Sequence, residues 1–261
     1  PHRFHGKADA MRTPFETYSN DEWFRGAIRK CIELGGQVGK DFVAALRFYN
    51  GTHACSNFRP GFALYIYRRF ANPNLPILDT STGYGGRLVG FLASGLSGYI
   101  GVDPSTETYE GNLRLAESLG IADRVELINL PAEDVPHDAV AGRCGLCFTS
   151  PPYFAKEMYA GEDTQSWVRY KTGEEWRTGF LVPMLQLQYA ALVDGSYNIV
   201  NIADVTVRAR YYPLVKWTIA AAKECGFVHH STEEYQLRTR LGAGHEKVVS
   251  TEPVLIFKKG G

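Results

Sequence analysis

The chain has 261 residues, 44% of them hydrophobic, enough for the core of one large α/β domain or of one domain with a helical extension. Lys+Arg and Asp+Glu each number 28, so the formal net charge is zero, which argues against tight, independent nucleic-acid binding. No apolar run reaches the roughly 18 residues of a membrane span and no signal peptide is visible, so a cytoplasmic protein without membrane contact is expected.

In chain order, residues 1–18 read as irregular, and the start on Pro1 suits either a trimmed chain or a piece of a longer one. A helix is expected from Ser19 or Asn20, with Asp21 and Glu22 in its first turn and Gly35-Gly36 ending it. A second helical stretch is expected over 41–49, then the loop NGTHACSNFRP, a helix over 61–70 and a turn-rich joint over 71–75. The first 70 residues hold eleven Lys/Arg and six Asp/Glu, a net +5 that leaves −5 for the rest; a basic face and a solvated helix surface both fit.

Beyond the joint the pattern changes. Strand-like runs over 77–79, 99–103, 125–130, 146–149, 197–202, 228–237 and 254–257 alternate with helix-like runs over 87–94, 106–119 and 212–225. That alternation predicts an α/β fold with a mostly parallel sheet, whose ligands bind at the carboxyl ends of the strands. The five cysteines, an odd number widely spaced, form no disulfide framework. Cys144 and Cys147 lie in CGLCF, which reads as a buried strand, and no second pair follows at zinc spacing. The seven histidines show no ligand spacing, so no metal is expected.

Two segments carry chemistry. The first is Asp79-Thr80-Ser-Thr-Gly83-Tyr-Gly85-Gly86-Arg, which follows a short apolar strand and opens a helix. Glycines let the backbone turn tightly and approach a ligand, and the helix start supplies free N–H groups. Twenty residues past Gly83, a second strand ends at Asp103, followed by Pro104. An acid in that place accepts hydrogen bonds from two ribose hydroxyls, so the context predicts a nucleoside-type cofactor. The spacing lacks the GxGxxG of dinucleotide enzymes.

The second is Thr149-Ser150-Pro151-Pro152-Tyr153-Phe154, just after an apolar strand. Consecutive prolines cannot continue a ladder and have no N–H, so they fix a rigid loop that presents acceptors: the Ser150 hydroxyl and the Ser150 and Pro151 carbonyls. Acceptors around the two hydrogens of an aromatic amine pull its nitrogen toward a tetrahedral form and free the lone pair. Tyr153 can stack on the ring, worth about 1–3 kcal/mol.

These segments carry a family resemblance. The spacing DxxxGxGG resembles the first motif of the class I S-adenosylmethionine-dependent methyltransferases, and Ser-Pro-Pro-Tyr is similar to the catalytic motif of the DNA amino-methyltransferases. The resemblance implies a Rossmann-like fold with a mostly parallel seven-stranded sheet flanked by helices, S-adenosyl-L-methionine as cofactor, and methylation of an exocyclic amino group of a base flipped into the pocket. Ser150 in the first position looks more like the N4-cytosine enzymes than the N6-adenine ones.

By the same resemblance Ser150, Pro151, Pro152 and Tyr153 are catalytic. Asp79, Thr80, Gly83, Gly85, Asp103, Pro104 and Thr149 are expected to hold the cofactor, with Glu133, in Ala132-Glu133-Asp134, beside its adenine. Phe58 and Pro60, in Ser56-Asn57-Phe58-Arg59-Pro60, resemble the segment that closes over the methionine end. The expected organisation is an N-terminal helical extension with this closing segment over 1–74 and a catalytic domain over 75–261.

The sequence departs from the family in having no long target-recognition region. The insertion over 155–180 is short, and Phe154, Tyr159, Trp167, Arg169 and Tyr170 are expected to line a substrate cleft there, unless it is only a loop leading into a helix near Glu174. Arg238-Thr-Arg240-Leu-Gly-Ala-Gly-His245-Glu-Lys247 suits a phosphate contact or a plain hairpin. Asp204, after NIVNIAD, is expected on the active-site face, and His53 and Cys55 near the closing segment. DNA is therefore the expected substrate, with RNA, a peptide or a small-molecule amine as the other reading.

Overall fold

The computed structural model describes residues 7–8, 12–33, 35–37, 41, 46, 57–158, 162–241 and 247–260. His53, Cys55, Ser56, Tyr159 and most of the expected 41–49 helix lie outside them.

The N-terminal part is more regular than its sequence suggests. Residues Pro14–Ser19 form α1, where the sequence pattern suggests only irregular chain. Thr13 caps it: the Glu16 N–H donates to the Thr13 hydroxyl at 3.0 Å and the Thr13 N–H donates to the Glu16 carboxylate at 2.7 Å. With Pro14 in the first turn this is a complete capping box. Asn20 then caps α2 (Asp21–Glu33), accepting from the Trp23 N–H at 3.1 Å. The two-residue strand Lys7–Ala8 pairs antiparallel with Glu157–Met158 of the insertion.

A seven-stranded sheet organises the rest. Its strands are β1 (Ile77–Asp79), β2 (Tyr99–Val102), β3 (Val125–Ile128), β4 (Cys144–Thr149), β5 (Leu192–Asn201), β6 (Phe227–Leu241) and β7 (Lys247–Lys259), in the spatial order β6-β7-β5-β4-β1-β2-β3. Neighbours from β3 to β5 run parallel, while β7 runs antiparallel to both β5 and β6. Strands β1, β2 and β4 are buried along their whole length, as parallel strands covered on both faces must be.

Alternation along these strands splits the core in two. Leu78, Ile100 and Cys147 face one side, with α8 (Val182–Ala191) and α9 (Leu214–Glu224) above them. Ile77, Tyr99, Leu146 and Phe148 face the other, under α3 (Pro60–Phe70), α4 (Gly86–Leu92) and α5 (Thr106–Ser118). Cys144 and Cys147 are interior packing, and burial pushes the Cys144 thiol up to about 12, so neither is a ready thiolate.

The insertion folds as α6 (Ser166–Arg169), α7 (Gly173–Trp176) and a π-helical turn, Arg177–Leu181, that runs into α8. A tight hairpin, Val205–Val207 with Arg210–Tyr212, follows β5 without a signal in the sequence. Among the described residues no helix is long and apolar enough to cross a membrane.

Candidate active site

Strands β1 and β4 are neighbours, with Ile77 opposite Leu146 and Leu78 opposite Cys147. The glycine loop leaving β1 and the Ser-Pro-Pro-Tyr loop leaving β4 therefore emerge side by side at the carboxyl edge.

Asp79 joins them from below. It is fully buried and both of its oxygens are taken. One accepts from Arg87 Nε and from the Tyr99 hydroxyl, each at 2.7 Å; the other accepts from the Thr149 hydroxyl at 3.1 Å and the Ser81 N–H at 3.2 Å. The Arg87 guanidinium also donates to the Ser81 carbonyl and lies over the Phe58 ring, 4.8 Å from its centroid. The resemblance has Asp79 receive the charged end of a cofactor. The structure instead places it in the floor, where it ties the start of one loop to the residue before the other. Thr80 is likewise interior: its hydroxyl accepts from Gln188 Nε2 at 2.8 Å, and Gln188 in turn accepts from Asn198 Nδ2 at 2.9 Å.

Above that floor the glycine loop is open. Gly83 has φ +57, and a side chain there would meet little but the Ser81 carbonyl at 3.8 Å. Its carbonyl accepts from Asn112 Nδ2 at 2.8 Å. Gly86 is needed for the opposite reason: a Cβ there would collide with the Phe58 carbonyl and come within 2.7 Å of Asn57 Oδ1. Asn57 Nδ2 donates to the Tyr84 carbonyl at 3.3 Å, and Pro60 opens α3. The 57–60 segment is thus seated directly on the glycine loop.

Asp103, just past β2, is half-buried. One oxygen accepts from the Gly83 N–H at 2.8 Å and the other from the Ser105 N–H at 3.0 Å. Each oxygen keeps a lone pair for a further donor. Burial raises its pKa to about 6 against these two backbone bonds. Because this is a rise above the unfolded value, the neutral acid stabilises the fold below about pH 4, and that contribution is lost as pH climbs through about 6. Asp103→Asn is expected to flatten the stability profile between pH 4 and 6.5 in urea titrations. An equally steep profile in the variant would assign the pH dependence to another group.

The 162–170 segment lies against the loop after β2 and the 132–134 turn. The Thr164 hydroxyl donates to the Pro104 carbonyl at 3.1 Å and the Ser105 hydroxyl donates to Glu162 at 3.4 Å. Arg169 pairs with Glu133 at 3.0 Å and Asp134 at 2.8 Å, and the Tyr170 hydroxyl donates to Glu133 at 3.0 Å. Burial raises the Glu133 pKa, opposed by these donors. Arg169 and Tyr170, expected in a substrate cleft, are therefore spent on holding the wall at Glu133. Trp167 is half-buried beside Lys171.

The β4 loop is held at its far end. Phe154 adopts φ +53, a conformation that costs a non-glycine residue about 1–3 kcal/mol. Its ring is 3% exposed and packs on Tyr212 at 4.8 Å and Trp176 at 6.4 Å. The expectation that Phe154 touches substrate is corrected: it anchors the loop in the core. Its N–H donates to the Pro152 carbonyl at 2.9 Å, so the acceptors of the expected kind are the Ser150 hydroxyl and the Ser150 and Pro151 carbonyls. Tyr153 is half-buried, with its hydroxyl 3.2 Å from Glu252 Oε2 and 3.3 Å from the Asn201 carbonyl. Burial raises the Glu252 pKa. Glu252 has no signal in the sequence, because it lies 99 residues from Tyr153 and reaches it only through the register of β7 on β5.

Asp204, expected on the active-site face, is engaged locally: it accepts from the Tyr211 hydroxyl at 2.5 Å and from the Val215 N–H in the first turn of α9 at 2.8 Å, bracing the hairpin. Among the described residues no group of three or more His, Cys, Asp or Glu is placed to hold a metal.

No family model and no curated protein matches the sequence. Solved structures do match the fold. The [4+2]-cyclase SpnF superposes with a TM-score of 0.55 at 11% identity over 77% of this chain and 81% of its own. An S-adenosylmethionine-dependent O-methyltransferase of Thermotoga maritima gives 0.52 at 12% identity, over 86% and 72%. The geranyl diphosphate C-methyltransferase of Streptomyces coelicolor, solved with Mg2+, geranyl diphosphate and S-adenosylhomocysteine, gives 0.51 at 14% identity, over 77% of each chain. With these likenesses and its strand order, the chain has the Rossmann-like fold of the class I methyltransferases.

Proposed function

We propose that this chain is an S-adenosylmethionine-dependent N-methyltransferase that modifies an exocyclic amino group of a nucleic-acid base, with N4 of cytosine in DNA favoured over N6 of adenine. One observation carries the reading. The acceptor-rich loop Ser150-Pro151-Pro152-Tyr153 begins one residue after Thr149, whose hydroxyl is bonded to Asp79 at the root of the glycine loop. A fold alone does not choose a chemistry, and the cyclase among the similar structures makes the point.

The residues fit the cofactor. A desolvated carboxylate with one backbone donor on each oxygen, as at Asp103, suits a vicinal diol. The open space at Gly83 suits close backbone approach, and the Pro104 and Glu133 wall suits the adenine. Phe58, seated over the glycine loop, suits the methionine end. When bound, S-adenosylmethionine supplies an electrophilic methyl group. The chain's own task is to receive the amine: the Ser150 hydroxyl and the Ser150 and Pro151 carbonyls accept its hydrogens, Tyr153 stacks on its ring, and the prolines offer no competing donor.

A second reading keeps the cofactor and changes the acceptor to RNA, a peptide or a small-molecule amine. Zero net charge favours it. Incubation with labelled S-adenosylmethionine and mixed genomic DNA, followed by nuclease digestion and nucleoside mass spectrometry, decides. N4-methylcytosine is the expected product. Confirmed cofactor binding in calorimetry with unmodified DNA would move the acceptor to the second class, and absence of cofactor binding would overturn both.

A further inference from the structure

The hairpin after β5 carries strain that its fold does not need. Its two-residue loop, Arg208-Ala209, joins Val207 to Arg210, and both loop residues have positive φ, +49 and +61. That is the geometry of a type I′ turn, where Asn-Gly or Gly-Gly is the unstrained choice. An arginine at the first position keeps a long cation at the tip against that preference.

The hairpin is braced at its base and well placed. Strands β4 and β5 pair in parallel, with Thr149 opposite Val200, so the hairpin leaves the sheet at the same edge as the Ser-Pro-Pro-Tyr loop. At its base Tyr212 packs on Phe154 at 4.8 Å, and Asp204 braces Tyr211. At its tip Arg208, Ala209 and Arg210 are exposed, and Tyr211 is 61% exposed. Three residues in each strand carry the tip roughly 10 Å from that base, of the order of the width of a DNA major groove. From Tyr211 an open groove of about 760 Å³ runs along α9 past Lys216 and Lys223, with Asp204 as the acid in its lining. Among the described residues, Arg208, Arg210, Lys216 and Lys223 pair with no acid.

We propose that this hairpin and the adjoining α9 groove are the phosphate-contacting surface for duplex DNA, with Arg208 and Arg210 bonding backbone phosphates beside the target base. The inference rests on DNA being the substrate and gives that reading what a chain of zero net charge otherwise lacks, a local cationic track next to the catalytic loop. Such contacts position the duplex without reading its sequence.

The test is equilibrium binding of a fluorescent mixed-sequence duplex across a salt series, with Arg208→Gly and Arg208→Gly/Arg210→Gln. Removing one arginine–phosphate bond is expected to lower the slope of log K against log salt by about 0.9, which is about eightfold in affinity at 0.1 M. Arg208→Gly is also expected to leave the thermal midpoint unchanged or raised, since glycine relieves the left-handed conformation. Weaker binding in a protein at least as stable supports a phosphate bond and excludes misfolding. Wild-type slope and affinity in both variants would overturn the hairpin assignment while leaving the methyltransferase reading intact. A wild-type protein that does not hold the duplex, or holds only RNA, would overturn DNA as the partner and this inference with it.

Discussion

Arg87→Met is expected to lower the free energy of unfolding by about 3–5 kcal/mol, the usual cost of removing one partner from a buried ion pair. Both side chains of the Arg87–Asp79 pair are almost wholly buried, 4% and 1% exposed, so solvent screens little of the loss. Without the guanidinium, Asp79 keeps only neutral donors: the Tyr99 and Thr149 hydroxyls and the Ser81 N–H. At about 2–4 °C per kcal/mol in a chain of this size, the thermal midpoint should fall by about 10 °C. Urea unfolding of the single variants and of Asp79→Asn/Arg87→Met measures it. The double variant is expected to recover much of the loss, because it removes both charges together. A single-variant cost under about 1 kcal/mol would mean that water reaches Asp79 and that the pair does not join the two loops.

That pair shows where sequence reading stops. Asp79, Gly83, Gly85 and Asp103 announce themselves because they sit at fixed offsets along two consecutive strands, and local order is what a sequence displays. The sheet is legible for the same reason: its strands are short apolar runs that alternate with helices. Roles are less legible than places. A motif shows that an acid stands at the end of β1, but only the fold shows that Arg87, at the start of the helix that follows, consumes it. Arg169 and Tyr170 likewise look like cleft residues until Glu133, 36 and 37 residues away, is found against them. The α1 capping box is present in Thr13-Pro-Phe-Glu16, yet the flanking residues lack the periodicity that would mark a helix. The 205–212 hairpin is hidden differently: Arg208-Ala209 is not a turn dipeptide, so the very choice that suggests function removes the local signal.

Tyr153→Ala is expected to cut kcat by about fivefold to somewhat over a hundredfold with cofactor affinity unchanged, the range set by losing a base–aromatic stack of about 1–3 kcal/mol. Its loop is anchored on either side, by Thr149 on Asp79 and by Phe154 in the core, so truncating the half-buried Tyr153 ring should leave the backbone in place. Tyr153→Phe separates the ring from its hydroxyl. It keeps the stack and removes the donor that faces Glu252, and a smaller loss of kcat is expected. Glu252 adds a pH signature. As a carboxylate it accepts the phenol proton at 3.2 Å; once protonated it becomes the donor, and the phenol turns to the Asn201 carbonyl at 3.3 Å. Since burial raises the Glu252 pKa, the acid limb of the kcat profile should lie above the ordinary glutamate range, and Glu252→Gln should abolish that limb. Single-turnover rates across pH for the three variants, with calorimetric cofactor affinities alongside, provide the measurement. A parallel fall in cofactor affinity for Tyr153→Ala would place Tyr153 in the cofactor wall, and full turnover would move the chemistry away from this loop altogether.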